Sequence, residues 1–151
     1  MPYDVQLVID TPDPHGLADW WAETLGWVVE PSDEGFIRAM VAAGHASEED
    51  TTTHRGALVW KEGAALLHPG GPESGRPRIL FQLVPEAKTV KNRVHLDLRA
   101  GPGDDPERTI EELIRRGATL LHRGNQGPAR WATLADPEGN EFCVPTTAPP
   151  S

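Results

Sequence analysis

The sequence predicts an α+β fold made of two tandem βαβββ modules, and three observations carry that prediction. Both halves run strand, helix, then three strands. Their opening strands keep the same phase, with apolar residues on one face and polar residues on the other. The chain then closes on a hairpin whose turn is written plainly as Asp136-Pro137-Glu138-Gly139-Asn140.

Tyr3 to Asp10 reads as the first strand, with Val5, Leu7 and Ile9 on one face and Asp4, Gln6, Val8 and Asp10 on the other. A helix follows, with Asp13 as N-cap and Pro14 at its first position. Leu17, Trp20, Trp21 and Leu25 form its apolar stripe, and Gly26 stops it. Packing between helix and sheet is the ordinary role for these tryptophans. Trp27 to Glu30 starts the next strand, and residues 32–44 read as a short second helix burying Phe36, Ile37, Met40 and Val41. The acidic stretch from His45 to His54 reads as a solvated loop. Strands are expected over Arg55–Trp60, Ala64–Leu67 and Arg78–Val84, with a Gly- and Pro-rich connection from His68 to Pro77.

Residues 85–92 form the expected linker, so module 1 spans about 3–84 and module 2 about 93–145 of a single 1–145 domain. Arg93 to Arg99 repeats the opening pattern: Val94, Leu96 and Leu98 face one way, Arg93, His95, Asp97 and Arg99 the other. Asp105 caps a helix begun by Pro106, carried by Ile110, Leu113 and Ile114 and ended by Gly117. Ala118 to His122 reads as a strand, Arg123 to Pro128 as a loop, and Ala129 to Ala135 as the first arm of the final hairpin. Its second arm places Phe142 and Val144 on one face, Glu141 and Cys143 on the other. Residues 146–151 read as a flexible tail.

The bulk properties fit one domain of 151 residues with 38% hydrophobic and 25% charged residues. No apolar run reaches membrane-spanning length, so no membrane partner is expected and the expected location is the cytoplasm. A single cysteine excludes an internal disulfide and a multi-cysteine metal cluster. A formal charge of −9 argues against a nucleic-acid partner, which needs a basic face. No phosphate loop, dinucleotide fingerprint or Ser-His-Asp pattern is present.

Several segments together resemble the vicinal oxygen chelate superfamily of glyoxalase I, bleomycin-resistance proteins and extradiol dioxygenases. They are the Asp136–Asn140 turn, the Leu17–Trp27 helix with its paired aromatics, Phe81-Gln82-x-Val84-Pro85, Asn92–Leu98 and Asn140–Cys143. The resemblance covers nearly the whole chain and is nearest to the glyoxalase-like branch. It implies a cup-shaped mixed sheet with helices outside and the polar strand faces lining the hollow.

In metal-using relatives four ligands come from the first and last strands of the two modules. Carried over, the positions are Gln6, Gln82, His95 and Cys143, with Cys143 standing where glutamate is usual. Hard divalent ions want carboxylate oxygen, and both expected glutamates are missing. The expectation is therefore no cofactor, a divalent metal being the minority case, with Glu141 bending inward as its best route. The plainer roles stand beside this: Gln6 and Gln82 as hydrogen-bonding residues, His95 as a satisfied half-buried histidine, Cys143 as a small apolar filler.

Two functions stay open. One is a metal-free protein that binds a small, partly apolar molecule through Gln6, Gln82, His95 and Cys143, with Trp60 and Trp131 as walls. The other is an enzyme, either a metal-dependent lyase, isomerase or dioxygenase, or an acid-base catalyst using His95 with Asp97 or Glu141. Relatives that pair through shared cavities imply a homodimer.

Overall fold

The computed structural model describes residues 1–147. It divides into two compact units, Met1–Ala87 and a second from Lys88 onward. Each unit holds a four-stranded mixed sheet of the same topology, and the fold is α+β with two βαβββ modules.

In the first unit, β1 (Leu7–Thr11), α1 (Pro14–Leu25) and β2 (Val28–Val29) are followed by α2 (Glu34–Ala42), β3 (Thr51–His54) and β4 (Ala57–Trp60). β5 (Gly63–Leu67) and β6 (Ile79–Leu83) complete the sheet in the order β1-β6-β5-β2, with β1 parallel to β6. The Asp13 carboxylate accepts from the Gly16 amide and so caps α1, which ends on Gly26 at φ 68°. α1 lays Leu17, Ala18 and Trp21 onto Leu66, Ile79 and Phe81 to form the core of this unit.

Five expectations in this half need correction. The first strand begins only at Leu7, and Val5 is 68% exposed instead of facing inward. α2 buries Ile37 alone; Phe36 is 55% exposed, because so short a helix packs on β4 through a narrow contact. The expected loop 45–54 contains a 3-10 turn at Glu48–Asp50 and then a strand. β3 and β4 form a separate hairpin inserted into the module, so 57–60 is no part of the main sheet.

Arg55 and Gly56, expected within a strand, make that hairpin's two-residue turn, with φ of 50° and 80°. Two successive positive φ values match the twist of paired strands, and Gly56 accepts this without a Cβ penalty. Asp19 of α1 ties the hairpin down through His54 Nε2 at 2.6 Å and Arg55 Nε at 3.1 Å.

The second unit is simpler: β7 (Leu96–Asp97), α3 (Pro106–Arg115), β8 (Thr119–Gln126), β9 (Ala129–Ala135) and β10 (Glu141–Pro145). The order is β7-β10-β9-β8, with β7 parallel to β10 and the rest antiparallel. Asp105 caps α3 by accepting from the Glu107 amide. Ile110 and Leu113 of α3 and Ala132, Leu134, Phe142 and Val144 of the sheet are all buried, which places the core on the even-numbered face of β9 and β10.

β7 is two residues long where seven were expected, and Val94 is 76% exposed. β8 runs on through Gln126, so the expected loop 123–128 is largely strand, closed at Gly127-Pro128. Of the expected tail 146–151, residues 148–151 lie outside those described. No described helix is long and apolar enough to cross a membrane.

Candidate functional site

With one face of the second sheet committed to α3, the other is left for chemistry. Period-2 alternation sends the odd-numbered residues of β9 and β10, and those around β7, to that open face. The register arranges them in rows. Asp97 lies beside Cys143, Cys143 opposite Thr133, and Thr133 opposite His122. One row further, Pro145 faces Trp131, and Trp131 faces Gly124.

All of these but Gly124, together with His95 and Arg99, line a cleft of about 740 Å³. That volume falls within the range of small-molecule sites, roughly 300–1,000 Å³.

The floor is polar. His95 Nε2 stands 3.5 Å from Asp97 Oδ1. The Cys143 sulfur lies 3.3 Å from Thr133 Oγ1, and one donor atom from each of His95, Asp97 and Cys143 lies within 4.8 Å of the others. One wall is the Trp131 indole, and its placement depends on Gly124. A Cβ built at Gly124 would stand 2.4 Å from the indole, so the ring occupies space that any other residue would fill.

Glu141, expected either to act as a catalyst or to bend toward a metal, lines the same cleft but is already engaged. Its carboxylate takes an ion pair from Lys88 and a hydrogen bond from the Asn92 amide at 3.1 Å. Burial raises its pKa, but the bond from Lys88, backbone N–H groups and the lysine charge outweigh that and hold it at about 2. The role this geometry gives it is to anchor the segment leading into β7. Below it, Asp136 closes the turn by accepting from the amides of Glu138 and Asn140, both at 2.9 Å.

The remaining sequence candidates lie in the first unit. Gln6 precedes β1 and its amide oxygen accepts from Arg78 Nη1 at 2.9 Å. Gln82 is exposed on β6, in register with Asp10. Trp60 sits half-buried in β4, its carbonyl oxygen 2.7 Å from His15 Nε2. The structure therefore gathers His95, Asp97, Cys143, Glu141 and Trp131 in one cleft, while Gln6, Gln82 and Trp60 have these separate settings.

Alternation places Arg99 on the face of His95 and Asp97 without singling it out for the site, while sequence reasoning missed His122, Arg130 and Thr133 as cleft residues. Alternation could have found Thr133. His122 was hidden by the register shift between Leu120 and His122.

The fold and the open sheet face define a member of the vicinal oxygen chelate superfamily. The chain belongs to the glyoxalase-like domain family, which matches residues 6–145. Solved structures of the same fold include a protein of Agrobacterium tumefaciens, at 13% identity and TM-score 0.62, covering 99% of this chain and 100% of that one. A fosfomycin resistance protein from Listeria monocytogenes follows at 7% identity and TM-score 0.60, covering 98% and 95%. A glyoxalase/bleomycin resistance protein/dioxygenase family enzyme from Burkholderia phytofirmans shows 17% identity and TM-score 0.56, covering 93% and 94%. No curated protein matches the chain by sequence.

Superfamily membership raises the question of a metal, and the donor set gives a divided answer. An ion about 2.0–2.3 Å from each of three donors holds them roughly 3.3–3.8 Å apart at tetrahedral angles. His95 and Asp97 meet that spacing at 3.5 Å, but the three donors together are held only within 4.8 Å of one another; by type, imidazole, carboxylate and thiolate suit Zn²⁺. They do not suit a hard ion such as Mg²⁺ or Mn²⁺, which wants oxygen donors and would find one carboxylate. Bound there, Zn²⁺ would supply Lewis-acid polarisation of a ligand oxygen.

Proposed function

We propose that this glyoxalase-like protein binds a small, partly apolar molecule in the cleft on the open face of its second sheet, and does so without a metal. The observation that carries the reading is the cleft itself, with a polar floor of His95, Asp97, Cys143 and Thr133 beneath a wall formed by Trp131 and Pro145. Such a site orients a ligand by a few polar contacts while an aromatic face supplies most of the buried area.

Native mass spectrometry of protein purified without chelator tests this directly. A small molecule retained by the wild type and lost on Trp131→Ala supports the reading. Stoichiometric metal, lost on His95→Ala, would overturn the metal-free part.

A second reading, a metal-dependent enzyme of the vicinal oxygen chelate type, is favoured by the clustering of His95, Asp97 and Cys143. It predicts that Co²⁺ gives a thiolate-to-metal absorption band in the near ultraviolet that Cys143→Ser abolishes.

A further inference from the structure

The cleft is basic in an acidic chain. The protein carries a formal charge of −9, yet Lys91, Arg99 and Arg130 all line this one cavity. The acids lining it are Asp97 and Glu141, and Glu141 is already matched by Lys88. Among the described residues neither Arg99 nor Arg130 has an ion-pair partner.

Their positions are informative. Continuing the parallel register from Asp97 and Cys143 by two residues brings Arg99 level with Pro145, and Pro145 faces Trp131. Arg130 also borders the cavity, but as the neighbour of Trp131 on β9 its side chain leaves the other face of the sheet. The apolar wall is thus flanked by Arg99 on the side away from His95.

Resting on the cleft reading above, we infer that the ligand is a small carboxylate with a flat apolar body, its ring against Trp131 and Pro145 and its carboxylate toward Arg99. The guanidinium fork matches a planar carboxylate, and a cluster of cations in an otherwise negative surface draws anions to that one place. The polar floor remains for a substituent at the far end of the molecule.

The probes are 3-phenylpropionate and its neutral isostere 3-phenylpropionamide, titrated into the full chain. The readout is the indole N–H resonance of Trp131, assigned by its loss in Trp131→Phe. The acid is expected to bind roughly fivefold more tightly than the amide, the upper end of what one partly exposed ion pair contributes. The preference shrinks in high salt and disappears in the Arg99→Gln variant, whose fold is checked by an unchanged amide spectrum elsewhere. Equal binding of acid and amide, or a preference that survives Arg99→Gln, overturns the carboxylate inference and leaves the cleft reading standing. If neither probe moves the Trp131 signal at any concentration, both fall together.

Discussion

Replacing Glu141 with glutamine tests how the segment before β7 is held. Glu141 is 8% exposed, and its side chain meets the Lys88 ammonium and the Asn92 amide. Its pKa falls from 4.5 to about 2, and at 1.36 kcal/mol per unit this is roughly 3 kcal/mol of preference for the charged form in the folded protein. Glutamine keeps the shape and loses the charge, so the variant should unfold about 2–3 kcal/mol more easily at pH 7. Because the folded pKa lies below the unfolded one, the stabilisation is complete above about pH 4.5 and is lost as pH falls through about 2. Urea denaturation of both proteins at pH 7, 4 and 2.5 should show the gap between them closing across that window. A gap below about 0.5 kcal/mol at pH 7, the scale of an ordinary surface substitution, would refute the argument. So would a gap independent of pH.

Further outcomes follow from the same geometry. Phe142→Ala, at a side chain 1% exposed beneath α3, should cost about 3–5 kcal/mol in urea denaturation. Asp136→Ala removes the acceptor for the Glu138 and Asn140 amides and should cost about 1–3 kcal/mol in the same assay, with Asp136→Asn recovering part of it. Gly124→Ala should move the Trp131 indole resonance and the near-ultraviolet circular dichroism, while stability changes by about 1 kcal/mol or less because the half-buried ring can swing. An unmoved Trp131 signal in that variant would mean the ring does not rest on Gly124.

The parts of the fold that could be read from sequence are those whose signals are local. Asp13-Pro14 and Gly26 bracket α1 because capping chemistry acts within a few residues, and Asp136–Asn140 closes a turn on its own side chains. β3 was hidden because three threonines after an acidic run look polar, although β-branched threonine suits an exposed hairpin. The far half of β8 was hidden for a related reason: as an edge strand exposed along most of its length, it shows no apolar alternation. In the site, alternation alone put His95 and Asp97 on one face and Cys143 and Glu141 on another. That these two faces are the same cleft depends on parallel pairing between residues far apart in the chain. The Lys88–Glu141 pair, 53 residues apart, has no local signature at all.

That pairing of β7 with β10 also sets when the cleft can exist. Asp97 opens the second unit and Cys143 nearly closes it, yet the two stand side by side as the cleft floor. During synthesis the chain can form α1 and its sheet, then α3 and the β8–β9 hairpin, while nothing yet resembles a binding surface. The floor appears when the last strand slots between β7 and β9, a long-range closure of the kind that folds slowly. A molecule that recognises the cleft therefore recognises only a completed second sheet, and by holding β10 in place it would slow the loss of that strand.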